Sequence, residues 1–269
     1  LEDSRVTFIE GDIADAEAVR KAVGGCDHVV NFAAETHVDR SLSAADPFLH
    51  SNIMGVYVLL ECARETGVEK FLQISTDEVY GPVLDGFAAE DWPMNPSSPY
   101  SASKVSGEAL CNAYRVSFDV PTLVARPTNN YGPRQFPEKL IPFFVKRALG
   151  GKTLPVYGAG DQMRDWLHVE DNCRAIDLIL KKGEAGEYYN IGANNHRVNM
   201  EIVRRMLDIL SLGEDRIEHV TDRPGHDFRY AVDSVKLRKM GWEPQTPFEE
   251  GFRDTILWFK DKFEGPADD

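Results

Sequence analysis

Two short stretches hold side chains whose types and spacing could do chemistry. Residues 74–81 read Ile-Ser-Thr-Asp-Glu-Val-Tyr-Gly and residues 100–104 read Tyr-Ser-Ala-Ser-Lys. Tyr100 and Lys104 stand at i and i+4 in a pattern that predicts a helix, so both side chains share one face. A lysine held near a tyrosine favours the phenolate, which lowers the phenol's pKa and makes a base usable near neutrality. Asp77 and Glu78 are adjacent carboxyl groups just beyond an apolar run (Phe71, Leu72, Ile74). Two carboxyl groups held close cannot both ionise cheaply, so their pKa values separate and supply one general acid and one general base. Such a pair suits the elimination of water. Each feature alone also has an ordinary reading: a surface tyrosine beside a solvated lysine, and a solvated acidic loop.

The elements that must position these groups alternate. Residues 6–13 predict a short strand running into a polar turn, and 15–23 a helix with Asp15 as its N-cap. Residues 28–34 form a nearly all-apolar strand, as expected when helices cover both faces of a sheet. A long helix from Asp46-Pro47 to Thr66-Gly67 carries Phe48, Ile53, Val56, Leu59, Leu60 and Ala63. A strand at 70–75 precedes an irregular stretch rich in Pro, Gly and acids. Pro99 then opens the helix of Tyr100 and Lys104, which runs to Ser117, and 121–126 is a strand. The expected fold class is α/β: a Rossmann-like, doubly wound parallel sheet. Right-handed crossovers put the strand ends at 31–36, 75–81 and 126–131 along one edge, where open α/β sheets place their chemistry. Beyond 131 come a loop, a helix at 138–149, a short strand at 154–158, a strand at 165–169, a helix at 169–181 and a strand at 187–192. A small, mostly helical region follows from 197 (200–210, 234–240, 248–263). The tail 265–269 is expected to fray.

Bulk properties narrow the partners. The chain has 269 residues, 42% hydrophobic and 28% charged, with a formal net charge of −14. That charge argues against nucleic acid or an anionic membrane, and an anionic substrate would need local arginines and lysines. No apolar run approaches the roughly 18 residues of a membrane span. The start, Leu1-Glu2-Asp3-Ser4-Arg5, is no signal peptide, so the expected compartment is the cytoplasm. Cys26, Cys62, Cys111 and Cys173 show no metal-ligand spacing and read as core thiols. His37, His168 and His226 do not converge, so no metal site is expected.

The Ser-Thr-Asp-Glu-Val-Tyr-Gly stretch, with Tyr-x-x-x-Lys after it in an alternating α/β pattern, resembles the nucleoside-diphosphate-glucose 4,6-dehydratases of the extended short-chain dehydrogenase/reductase superfamily. The likeness covers essentially the whole chain and is nearest to the dTDP-glucose 4,6-dehydratases. It implies NAD as cofactor, dTDP-glucose as substrate and a homodimer paired through the helices at 48–66 and 99–117. It also implies Thr76, Asp77, Glu78, Tyr100 and Lys104 as catalytic residues. Phe32, Ala33, Ala34 and Thr36, within Phe-Ala-Ala-Glu-Thr-His-Val-Asp-Arg-Ser, resemble the segment beneath the nicotinamide ribose and pyrophosphate. Asp12 and Ile13 match the pair flanking the adenine, and Ser51 and Asn130 fall at cofactor positions. Thr76, Asn129, Lys139, Leu140, Pro155, Tyr157, Arg164, Asn199, Arg223 and His226 match the substrate region, with Arg164, Arg223 and Lys139 as the local positive charge. The implied division is an NAD-binding domain at 1–131 and 165–196 and a nucleotide-sugar domain at 132–164 and 197–269.

The likeness fails at the front. Relatives carry Gly-x-x-Gly-x-x-Gly in their first strand and helix, which seats the pyrophosphate on a helix N-terminus. No such loop stands near Leu1, and Gly24-Gly25 reads as a helix stop. The expectation is therefore a piece of a longer product that lacks strands 1 and 2 of the fold. The strands at 6–9 and 28–32 would then miss a neighbour, and NAD would bind poorly. Two other readings stay open: a UDP-glucose 4,6-dehydratase, epimerase or decarboxylase of the same fold, and an inactive fold used for binding or assembly.

Overall fold

The computed structural model describes residues 3–265; the expected fraying at 266–269 lies outside them. The chain divides into two compact units, residues 1–80, 93–126 and 179–189 in the first, and 81–92, 127–178 and 190–269 in the second.

The first unit is built on parallel strands β1 (His28–Asn31), β2 (Lys70–Ile74) and β3 (Thr122–Pro127). Strand β7 (Tyr188–Ile191) completes the sheet in the order β1-β2-β3-β7. The register places Asn31 beside Gln73 and Ile74 beside Ala125, so the strand ends share one edge, as expected for this fold. One face packs α1 (Ala16–Val23), α4 (Val56–Thr66) and α5 (Pro99–Phe118) through Val19, Leu60, Phe71, Cys111 and Val124. Leu72 and Leu123 alternate to the opposite face, where a Cβ on Gly183 would lie 2.6 Å from Leu123. Both faces are therefore covered, and the strands need no polar side. Asp15 caps α1 by accepting from Glu17 N. Gly67, at φ 67°, ends α4 in the left-handed region that a side chain disfavours.

The second unit centres on β4 (Asn129–Tyr131), β6 (Met163–His168) and β8 (His196–Val198), with a parallel pair of β5 (Leu154–Tyr157) and β9 (Ile217–Val220). Its core is contributed largely by α6 (Leu140–Leu149), α8 (Asn199–Leu210) and α10 (Phe248–Glu264), with Phe144, Met206, Phe252, Ile256 and Phe259 buried together.

Three expectations are corrected. Residues 6–9 are not a strand: a ladder needs a partner, and Phe8 stands 70% exposed. The long helix is interrupted, running as α3 (Asp46–Leu49), a π-helical segment (His50–Gly55) and then α4. The region beyond 197 is mostly helical, as expected, with the short strands β8 and β9 added. Only Cys62 and Cys111 are core thiols, while Cys26 and Cys173 are exposed; a helix repeat does not say which face a cysteine takes.

Candidate active site

The side chains fit for proton transfer lie in the first unit. β2 ends at Ile74, Ser75 and Thr76 leave the sheet still buried, and Asp77–Tyr80 close a single 3-10 turn. Helix α5 begins at Ser98, whose backbone N–H donates to Ser101 Oγ (3.0 Å) while Ser101 N donates to Ser98 Oγ (3.1 Å). This reciprocal cap, with Pro99 in the first turn, fixes where Tyr100 starts. The two pieces meet at the Tyr100 hydroxyl, which is hydrogen-bonded to the Thr76 side chain. Thr76 Oγ1 also donates to Asp77 Oδ1 (3.2 Å) and accepts from Glu78 N (3.2 Å). Lys104 Nζ donates to Ile74 O (2.7 Å), tying α5 to the end of β2. Thr76, Asp77, Tyr100 and Lys104 are buried and Glu78 is half-buried.

The electrostatics differ from expectation. Burial, then the Glu78 charge, pushes the Tyr100 phenol well above its ordinary value, with the Thr76 hydrogen bond pulling the other way. Lys104 is pushed down to about 8 by burial, against the pull of Glu108. The expected lowering of Tyr100 by Lys104 does not hold in the free chain. The ammonium donates to a backbone carbonyl, and the charges that act on the phenol are those of Glu78 and Asp77.

The stretch after β1 is more open. Phe32 is 60% exposed, Ala33 and Thr36 are exposed, and Ala34 is half-buried. Its backbone is nonetheless fixed by two buried amides that sequence reasoning missed. Asn31 Oδ1 accepts from Ala33 N (3.0 Å), and Asn52 accepts from Glu35 N (2.9 Å) and donates to Glu35 O (3.0 Å) and Ser103 Oγ (2.8 Å). Asn52 lies in the π-helical segment beside half-buried Ser51. A polar Asn inside an apolar helical run was the available signal. Asp12 is exposed and bonded to His50 (2.8 Å), its carboxyl lowered by the Ala14 amide and then by His50. Ile13 packs where a Cβ on Gly55 would come within 2.5 Å of its Cδ1, so a side chain at that helix position would have to displace Ile13.

The remaining candidates lie in the second unit. Asn129 and Asn130 stand on β4, and the buried carbonyl oxygens of both side chains have no hydrogen-bond partner among the described residues. Lys139 and Leu140, both half-buried, stand at the head of α6. On β5, Pro155 is half-buried and the Tyr157 ring meets the His226 ring edge-on at 5.9 Å. His226 is bonded to Asp222 (2.6 Å), which also accepts from Gln162 Nε2 (2.8 Å) and Arg223 N (2.8 Å). Burial holds the His226 imidazole below its ordinary value. Asn199 N donates to Gln162 O (2.9 Å), bringing α8 to the same cluster. Arg164 is buried, its fork donating to Met163 O (2.8 Å) and Asp227 O (3.0 Å) and lying 4.3 Å from the Tyr230 ring centroid.

A family model described as GDP-mannose 4,6-dehydratase matches residues 1–255. The low-salt glycan biosynthesis protein Agl12 of Haloferax volcanii is 49% identical over 252 residues, covering 94% of this chain and 81% of that protein. A dTDP-glucose 4,6-dehydratase of Streptomyces niveus is 46% identical over 255 residues, covering 94% and 76%. The crystal structure of DesIV, a dTDP-glucose 4,6-dehydratase from Streptomyces venezuelae with NAD and TYD bound, superposes with a TM-score of 0.95 at 43% identity, covering 96% of this chain and 81% of that one. Matched along nearly its whole length by both sequence and fold, the chain belongs to the GDP-mannose 4,6-dehydratase family.

Proposed function

We propose that the chain is a dTDP-glucose 4,6-dehydratase that converts dTDP-glucose to dTDP-4-keto-6-deoxyglucose and water with NAD. The observation that carries this reading is the adjacency of Asp77 and Glu78 to the hydrogen-bonded Thr76–Tyr100 pair in one buried cluster. An epimerase needs no second carboxyl group there, whereas an elimination needs both an acid and a base.

The residues present fit NAD. Buried Lys104 gives one of its three donors to Ile74 O, and the small Ala33-Ala34 stretch is held rigid by Asn31 and Asn52. The buried Asn130 Oδ1 awaits a donor. Asp12, Ile13, Phe32, Thr36, Ser51, Tyr100 and Lys104 complete the proposed contacts. When bound, NAD supplies the hydride acceptor for C4 and the hydride returned to C6.

Every proton step belongs to the chain. Tyr100 removes the C4 hydroxyl proton, with Thr76 hydrogen-bonded to the phenol. The C4 ketone acidifies the C5 proton, which Glu78 takes. Asp77 protonates the departing C6 hydroxyl, and Glu78 returns a proton to C5. Asn129, Lys139, Leu140, Pro155, Tyr157, Arg164, Asn199, Arg223 and His226 are the proposed substrate contacts, with Arg223 and Lys139 toward the diphosphate. The functional division we propose is 1–131 with 165–196 for NAD and 132–164 with 197–269 for the nucleotide sugar. Its boundaries differ from those of the compact units.

We further propose a homodimer in the cytoplasm. Tyr57 on α4 and Val116 and Phe118 on α5 are apolar and exposed, the last two 65% and 52%. Among the described residues no helix is long and apolar enough to cross a membrane.

The test incubates the protein with NAD and dTDP-glucose, or UDP-glucose in parallel, and follows the alkali-induced absorbance of a 4-keto-6-deoxy product. The expected result is product from the thymidine nucleotide and none from Glu78→Gln. Folded, NAD-binding protein that makes no product from either sugar overturns the reading; preference for UDP-glucose overturns the base assignment alone.

A further inference from the structure

The most deeply buried charges of the first unit are in no role assigned above. Arg126 in β3 is 1% exposed and Glu108 in α5 is 0% exposed. Arg126 Nε donates to Glu108 Oε1 (3.0 Å) and Oε2 (3.2 Å), and Nη2 donates to Oε2 (2.5 Å). The same guanidinium sits 4.6 Å from the Tyr188 ring centroid, and its Nη1 donates to the Tyr80 hydroxyl (2.6 Å). Such a pair is a poor means of stabilising a core, since apolar residues of similar volume often serve as well or better. Its placement says more than its energy.

Glu108 lies at i+4 from Lys104 and i+8 from Tyr100, on the same face of α5. Tyr80 is the last residue of the 3-10 turn that opens with Asp77 and Glu78. One planar fork from the central sheet therefore grips both carriers of the proton-transfer groups. A guanidinium is suited to this, because its donors hold fixed directions and the group cannot deprotonate.

We propose that Arg126 is a positioning residue which, through Glu108 on one side and Tyr80 on the other, fixes the helix of Tyr100 and Lys104 in register with the turn of Asp77 and Glu78. The proposal rests on the roles given to those four residues under the proposed function. Losing the register separates the two halves of the reaction: the oxidation groups stay seated against β2, while the carboxyl groups drift from C5 and C6.

Tyr80→Phe tests this with little risk to folding, since it removes only the hydroxyl and keeps the ring. Hydrogen exchange of the free protein is measured first. The expected result is faster exchange of the amides of residues 76–80 by about tenfold, the scale of one lost buried hydrogen bond, with the sheet unchanged. On the loaded enzyme, kcat is expected to fall about tenfold with KM unchanged, and C5 proton exchange with solvent to slow more than C4 oxidation. Arg126→Lys, which keeps the charge and loses the fork, should reproduce both effects. Unchanged exchange at 76–80 in both variants overturns the proposal, as does an equal loss in both half-reactions. Tyr100→Phe and Glu78→Gln are run beside them: if those two leave turnover intact, the proposed function has failed, whereas their loss with Tyr80→Phe unaffected sinks the positioning role alone.

Discussion

The two compact units bury their candidate side chains to different depths. In the first, Thr76, Asp77, Tyr100 and Lys104 are buried, with Thr76 bonded to Asp77 and Tyr100, and Lys104 bonded to Ile74 O. In the second, candidate groups are mostly half-buried and spread over β4, β5, α6, α8 and the segment 222–226. Under the proposed function, that difference separates preorganised chemistry from adaptable binding. Groups that move protons must stand at fixed distances, and burial among neighbours achieves that.

The comparison can be broken by substitutions on either side. The largest expected effect is in the first unit: Tyr100→Phe lowers kcat by about 10²–10⁴-fold, with thermal stability unchanged because the ring stays in place against Phe48. Retained turnover would remove the buried network from the chemistry. Lys104 gives a sharper test, because there stability and activity should move in opposite directions. Its folded value of about 8 lies below the ordinary 10.5. The folded chain therefore binds fewer protons than the unfolded one between those values. Lys104 costs stability below that window, and the cost fades as pH rises through it. Lys104→Met should abolish turnover yet raise the unfolding free energy at pH 7 on the order of 2 kcal/mol, with the gain shrinking above pH 8 in denaturant titrations.

In the second unit, Arg223→Ala should raise KM for the nucleotide sugar about tenfold and leave kcat nearly unchanged, the sign of binding shared equally by ground and transition states. A matching loss in kcat would place Arg223 with the preorganised groups instead. The smallest effect sharpens the account of how Tyr100 is placed. Ser98→Ala removes the reciprocal cap of α5 and should cost about 1 kcal/mol in chemical unfolding, with activity largely retained.

Much of the fold was legible because its signals are local. The alternation of apolar runs with helical spacing gave β1 to β3 and α5, and Tyr100 and Lys104 at i and i+4 fall on one face by helix geometry alone. Asp15, Pro99 and Gly67 marked their helix ends through caps and φ preferences. The segment at 6–9 shows where this fails: its β-branched and aromatic residues read as a strand, but a strand exists only with a partner, which propensity cannot supply. The π-helical turn at 50–55 was equally hidden, since apolar spacing does not distinguish it from an α-helical one.

The site divides along the same line. Residue types and spacing determined which groups could act: a phenol with an ammonium one turn on, and paired carboxyl groups after a buried strand. Tertiary structure decided what those groups are. It placed the Lys104 ammonium on Ile74 O and the Tyr100 phenol near carboxylates, so the free phenol is raised where spacing alone suggested the reverse. It also gathered Asn31, Asn52, Glu108 and Arg126 from separate elements into supports with no motif of their own. A pKa depends on burial and on every charge within a few ångströms, and those neighbours come from anywhere in the chain.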